Sequence, residues 1–233
     1  MLKLFTFAPG FGEISASPFS IKAICLLEMS GQAYTLNQKG DPRKAPKKKL
    51  PVLEHDGKTI ADSDDIRDYL EMQFNVDFDE GLNAEQRAIS RSIIRMCEEH
   101  IYFAIVSTRW QRDKNWEIIR EELFGMIPKL VRKFITNKIR KGAVTMVNGQ
   151  GMGRHSEAEQ AARVSKDLAA IETLLGDKPF LFGDKPTAAD ASVVAILNNI
   201  TCFPRPTLLN AAVQNFPTLV TYAKRGKQTM YPK

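Results

Sequence analysis

The apolar positions of this chain change their period once. Up to Phe74, short apolar runs alternate with one helical stripe. Leu2 to Phe7 predicts a strand. Ser17-Pro18 opens a helix, because Ser is a favoured N-cap and Pro is tolerated at the first helical position. Phe19, Ala23, Leu26 and Leu27 give that helix one apolar stripe, and Gly31 ends it. Ala33 to Asn37 predicts a second strand. Lys39 to Lys49, polar and holding Pro42 and Pro46, predicts a loop or irregular helix. Leu50 to Glu54 and Thr59 to Ala61 flank Asp56-Gly57, a strong hairpin signal. Asp62-Ser63 starts a helix that runs to Phe74. The predicted order is βαβ, loop, ββα.

Beyond Phe74 no convincing strand occurs. Asn75 to Asn83 is acidic and turn-like and predicts a linker. Ile89, Ile93, Cys97, Ile101 and Ile105 recur every fourth residue, the face of a long helix. Trp116 to Lys141 predicts a further amphipathic helix or pair, with a break near Pro128, and Gly149 to Gly153 a loop. Ser156 with Glu159 forms a capping box, followed by the stripe Ala161, Val164, Leu168, Ile171 and Leu175. Thr187 with Asp190 is a second box. It opens a helix, through Val193, Ile196, Leu197 and Ile200, that is apolar nearly all round and is therefore expected at the centre of a second domain. The pattern divides the chain into a mixed α/β unit, 1–76, and an all-helical unit, 84–233.

Composition narrows the function classes. With 43% hydrophobic and 26% charged residues, the 233-residue chain is expected to fold rather than to stay disordered. No apolar run approaches the ~18 residues of a membrane span. The start, MLKLFTFAPGFGE, has no small-residue cleavage site and reads as a strand rather than a signal peptide. Cys25, Cys97 and Cys202 lie far apart with no CxxC pair, which predicts neither a disulfide framework nor a zinc site, and no other metal site is indicated. A cytoplasmic location fits. The net charge of +6 is local. Lys129, Arg132, Lys133, Lys138, Arg140 and Lys141 stand together without an acid and equal the whole excess. Arg43, Lys44, Lys47, Lys48 and Lys49 form a second cluster. Neither carries interleaved aromatics or a nucleic-acid motif, so no nucleic-acid partner is predicted. The aromatic content of the 126–142 run is low for a membrane-surface helix, so membrane association is not expected either.

Three features of the first unit carry candidate chemistry. The first is Ser15-Ala-Ser-Pro-Phe-Ser-Ile-Lys22 at a strand-to-helix turn. A helix N-terminus has free N–H groups and partial positive charge, and a hydroxyl there can donate to a thiolate. Ser15, Ser17 and Ser20 are all candidates, and Ser17 equally reads as a plain N-cap. The second is Lys49-Leu50-Pro51-Val52, where a proline heading a strand can be cis and turn backbone groups toward a ligand. The third is Asp62-Ser63 at a helix start, which can bind a carboxylate through backbone N–H groups or act only as a cap. His55 is expected exposed in its hairpin. Consecutive Glu98, Glu99 and His100 on a helix do not face one site. Gly149-x-Gly-x-Gly lacks a preceding strand and a following Lys-Ser/Thr, so it is not a phosphate cradle.

Together, and in this order, S-P-F, L-P-V, I-A-D-S-D-D-I and F-L-F-G-D-K-P-T-A-A-D resemble the cytosolic glutathione S-transferase family over nearly the whole chain. G-Q-G-M-G-R-H-S, with E-E-H-I-Y-F-A and S-T-R-W upstream, resembles its failed-axon-connections and metaxin-like branch. The resemblance implies a thioredoxin-like domain with a four-stranded mixed sheet and an all-α C-terminal domain, the glutathione transferase fold. It implies a cytoplasmic homodimer with a role in detoxification, taking glutathione as co-substrate and a small electrophile or peroxide as partner. Ser17 falls where the family keeps its catalytic Ser, Cys or Tyr. No Tyr precedes Tyr34, and the Cys of Cys-type members is absent, so the implied chemistry is a Ser-stabilised glutathione thiolate. Lys49, Leu50, Pro51, Asp62 and Ser63 fall at glutathione-binding positions, with Asp62 in place of the usual Glu or Gln. Tyr102, Arg109 and Trp110 lie on the helix that lines the family's electrophile pocket. The metaxin-like flavour leaves an alternative: a non-enzymatic interaction platform built on the same fold.

Overall fold

The computed structural model describes residues 1–232. Strands β1 (Leu2–Phe5), β2 (Tyr34–Asn37), β3 (Val52–His55) and β4 (Lys58–Ala61) form one mixed sheet, order β2-β1-β3-β4. β1 runs parallel to β2 and antiparallel to β3, and β3 antiparallel to β4. Helices α1 (Pro18–Ser30) and α2 (Ser63–Phe74) complete this domain. The strands are shorter than the apolar runs suggested, because the chain leaves the ladder after Phe5 and joins it only at Val52, after Pro51.

The register sets the position of the site. Phe5 pairs with Asn37 and with Val52, and Val52 pairs with Ala61. The loop after β1, the 38–51 segment and the start of α2 therefore all leave the same end of the sheet. Gly40 lets two of them touch: a Cβ there would lie 2.8 Å from Leu50 Cδ1 and 3.0 Å from the Thr6 carbonyl oxygen.

The helical domain contains α3 (Ala84–Arg95), α4 (Tyr102–Trp110), α5 (Asp113–Phe124), α6 (Lys129–Gln150), α7 (Glu157–Leu175), α8 (Ala188–Thr201), α9 (Leu208–Gln214) and α10 (Pro217–Met230). One wide π turn, Met96–Ile101, fuses α3 to α4. It explains the four-residue apolar repeat. In a helix of 3.6 residues per turn, a period of four drifts roughly 40° per step. The wider π turn takes more residues per turn, offsets that drift and keeps Ile93, Cys97, Ile101 and Ile105 buried. Pro128 is the N-cap of α6, as the break predicted, but α6 runs through Gly149 to Gln150, where a loop was expected. Every residue of α8 from Ala188 to Ile200 is buried, and the helix packs against α1 and α10 in a core shared by both domains.

Candidate functional site

Ser17 occupies the N-cap of α1, with φ −110° and ψ 125°, yet its side chain makes no capping hydrogen bond. It is half-buried. The neighbouring serines are engaged differently. Ser15 is buried, donates to the Phe7 carbonyl oxygen at 3.0 Å and accepts from the Ser17 N–H at 3.4 Å. Ser20 is fully buried in the first turn, and its hydroxyl has no hydrogen-bond partner among the described residues. Of the three hydroxyls, only that of Ser17 is both accessible and without a capping role.

The other two segments meet this one at the sheet end. The Leu50–Pro51 bond is cis. Leu50 stands just outside the β1–β3 ladder, and its N–H and C=O bond no other backbone group of the described residues. The Pro51 carbonyl accepts from the Asp62 N–H at 3.4 Å, which ties the strand entry to the α2 cap. Asp62 is exposed, and its φ of 102° is a conformation that side-chain-bearing residues rarely adopt. Such strain costs roughly 1–3 kcal/mol and gathers at ligand sites. The Asp62 carboxylate accepts from the Asp64 N–H at 3.0 Å. Ser63 is 1% exposed, and its hydroxyl also lacks a partner among the described residues. So does that of Thr6, at the end of β1. An unpaired buried hydroxyl costs roughly 1–3 kcal/mol, so these orphaned groups at one end of one sheet suit a polar ligand that satisfies them. In the loop, Lys47 pairs with Asp65 and Lys48 donates to the Arg43 carbonyl oxygen, whereas exposed Lys49 has no carboxylate partner among the described residues.

A buried ionic cluster that sequence reasoning missed supports the start of α2. Lys22 of α1 is 1% exposed and reaches Asp64 at 2.8 Å and Glu98 of the π turn at 2.7 Å. Arg91 and Arg95 of α3 complete it on Asp64, and Arg95 also meets Glu98. Burial pushes the Asp64 carboxyl up, but Lys22, Arg91 and Arg95 outweigh it and hold it at about 2. Glu98, deeper in the seam, stays above the usual carboxylate range because burial outweighs Lys22 and Arg95. The available signal was Lys22 itself, a cation between Ile21 and Ala23 in an otherwise apolar stretch.

The helical domain also holds the Ser17 loop. Asn199 of α8 donates to the Ala16 carbonyl oxygen at 3.3 Å, and its own carbonyl accepts from the Arg109 guanidinium. Arg109 is 6% exposed and lies 5.2 Å from the Phe11 ring and 5.3 Å from the Phe203 ring. Burial lowers its pKa from the usual guanidinium value, with Cys202 and Tyr102 opposing. It borders a small cavity of about 10 Å³ with Ile105, Thr108 and Phe203. Tyr102 packs edge-on against Phe19, ring centroids 4.7 Å apart. Trp110 turns away into an aromatic cluster with Trp116 and Phe124. The structure thus brings Tyr102 and Arg109 to the α1 side and Trp110 to a neighbouring cluster. Glu13, just before Ser15, is clamped by Lys227 at 2.6 Å and by the Tyr231 hydroxyl at 2.9 Å.

Several singletons sit in structural roles. Cys25 and Cys97 are fully buried, and burial pushes both thiols well above their ordinary pKa. His55 is not exposed as expected. Its side chain is 11% accessible, because the ring turns under the hairpin to place Nδ1 2.7 Å from the Tyr69 hydroxyl. His100 pairs with Asp167 at 2.6 Å.

A four-stranded mixed sheet entered through a cis proline, an open helix N-terminus beside it and a helical domain packed against both define a two-domain protein with a thioredoxin-like first domain. Glutathione S-transferase N-terminal and C-terminal domain models match residues 18–115 and 164–226. An isoprene-epoxide–glutathione S-transferase of Rhodococcus sp. is 32% identical, the match covering 97% of each chain. Failed axon connections of Drosophila melanogaster is 28% identical over 94% of this chain, which spans 55% of that protein. Metaxin-1 of Mus musculus is 24% identical, covering all of this chain and 76% of the relative. Among solved structures, a glutathione S-transferase of Ceriporiopsis subvermispora in complex with glutathione superposes with TM-score 0.66 at 17% identity, covering 100% and 98% of the two chains. The beta-etherase LigF of Sphingobium sp. superposes with TM-score 0.62 at 19% identity, covering 97% and 94%. The chain belongs to the glutathione S-transferase family.

Proposed function

We propose that the protein binds glutathione across the sheet end and transfers it to a small electrophile. The observation that carries this reading is an N-cap hydroxyl that does not cap: Ser17 stands at the positive end of α1 with its side chain uncommitted. A thiol has an ordinary pKa near ~8.5, and a helix N-terminus with a hydroxyl donor lowers it. In this reading Ser63 and the first N–H groups of α2 hold the γ-glutamyl carboxylate, and Asp62 faces its ammonium. Leu50, before cis-Pro51, pairs with the cysteinyl backbone, and Lys49 meets the glycyl carboxylate. Tyr102 and Arg109 border the electrophile, while Trp110 shapes the wall behind them.

The bound thiol loses its proton to solvent before the chemical step. The thiolate lone pair then forms a sulfur–carbon bond while a carbon–oxygen or carbon–halogen bond breaks. A halide leaves with the bonding pair, and an opened epoxide oxygen takes a proton from water. The relative that acts on isoprene epoxide supports the substrate class. The protein's share is positioning and thiolate stabilisation. Titration calorimetry with millimolar glutathione, followed by conjugation of an aryl halide or a small epoxide, tests the reading. Saturable heat and turnover are expected, and no heat with no thermal shift would contradict it. The alternative of an interaction platform is supported by the failed-axon-connections and metaxin relatives and by the exposed face of α6.

A further inference from the structure

The first half of α6 projects almost bare from the helical domain. Between Met126 and Gly142, only Arg132 and Thr136 are buried. Met126 is 92% exposed, Leu130 97% and Phe134 81%, with Val131 at 47% beside them. Leu130 and Phe134 lie one turn apart and share a face. Lysines surround this crest: Lys129 and Lys133 in the same turns, Lys138 and Lys141 further along, all exposed. Arg132 points the other way and anchors the projection, donating to the Ile127 carbonyl oxygen at 2.8 Å and to the Glu121 carboxylate at 2.6 Å. No Asp or Glu occurs between Glu122 and Glu157.

We propose that the Met126–Lys141 segment docks on an anionic lipid surface. Met126, Leu130 and Phe134 enter the boundary of the acyl chains, and the lysines lie at the level of the head-group phosphates. An apolar crest ringed by cations finds both of its complements there. A second copy of the chain fits this face poorly. A two-fold contact sets lysines against lysines, and the face has no acid to relieve them. An acidic protein would satisfy the lysines, but the crest is convex, and covering it needs a deep pocket in the partner, whereas lipid adapts to it. No helix of the described residues is long and apolar enough to cross a membrane, so the segment lies on the surface. Such docking departs from the expectation from sequence. That expectation weighed a low aromatic content along the run, but the burial shows that its large apolar side chains face outward instead of serving the core.

Co-sedimentation of the full chain with vesicles tests the proposal. The probes are phosphatidylcholine alone and phosphatidylcholine with about one-third phosphatidylserine, at low and high salt. Binding is expected to the anionic vesicles at low salt and not to phosphatidylcholine alone. The pair Lys129→Gln and Lys133→Gln should lower partitioning about 25-fold, at about fivefold per lysine. The pair Leu130→Ser and Phe134→Ser should lower it at least about tenfold. Both variants should melt like the wild type, because the positions are exposed. Three results would overturn the proposal. One is a wild type that ignores anionic vesicles. Another is a Leu130→Ser/Phe134→Ser variant that binds them undiminished, which leaves charge alone and points to an acidic partner. The third is the same variant turning a dimer into a monomer with vesicle binding intact, which assigns the crest to a second copy. The proposal stands apart from glutathione binding, which calorimetry reads separately.

Discussion

The N-termini of α1 and α8 start from similar sequences, a hydroxyl residue before a helix, and end in opposite states. At α8, Asp190 accepts from the Thr187 N–H at 2.8 Å and its hydroxyl at 2.7 Å, from the Leu181 N–H at 2.9 Å and from the Tyr222 hydroxyl at 2.6 Å. Every lone pair of the carboxylate is used, and the helix start is sealed inside the core. At α1, Ser17 makes no capping bond, and the hydroxyls of Ser20 and Ser63 have no partner among the described residues. Evolution of a stable fold favours the first arrangement. The second leaves donors free at a positive helix end, which is costly to the fold and useful only to a bound anion. The difference separates a helix start built for folding from one built for binding.

The comparison is broken most severely at the sealed end. Asp190→Ala removes one acceptor from four donors in a dry core, and a loss of about 3–5 kcal/mol is expected in urea unfolding. The same substitution should leave the glutathione affinity of the remaining folded protein close to that of the wild type. An acid titration sharpens the contrast next. Asp64 titrates at about 2 when folded against an ordinary 3.8, so its contribution is complete above the ordinary value and is lost as pH falls from about 4 toward 2. Thermal melts across that window should show the loss, and Asp64→Asn should flatten this limb. At the open end, Ser63→Ala should weaken glutathione binding about tenfold by calorimetry while stability holds or rises, because a buried unpaired hydroxyl is deleted. The smallest effect is expected at an ordinary surface cap. Asn83 accepts from the Gln86 N–H at 2.9 Å, and Asn83→Ala should cost about 1 kcal/mol with no change in binding.

The elements that local chemistry controls were legible in the sequence. The Asp56-Gly57 hairpin, the Gly31 stop, the Pro128 break and the boxes at Ser156 and Thr187 each rest on neighbours within a few residues, and each appears in the structure. What was not legible joins distant segments. Lys22 meets Glu98, Ala16 meets Asn199, and Glu13 meets Lys227 and Tyr231, pairs with no common local pattern. The π turn was visible only as an unexplained period of four. Ser17 illustrates the limit most clearly. Its position as an N-cap was plain from Ser17-Pro18, but whether its hydroxyl caps the helix depends on backbone and side-chain angles, which spacing does not encode.

The central claim is that Ser17 serves a bound thiolate rather than its helix. The direct measurement is the ultraviolet thiolate absorbance of the glutathione complex across pH, for wild type and Ser17→Ala, beside the urea midpoint of each. The account predicts a wild-type thiol pKa well below the ordinary ~8.5. In the variant it should rise by about one unit or more, the worth of one hydrogen bond to a charged acceptor, with the urea midpoint unchanged. A variant that loses about 1 kcal/mol of stability, as a true N-cap would, while its thiol pKa stays where the wild type's was, would contradict it.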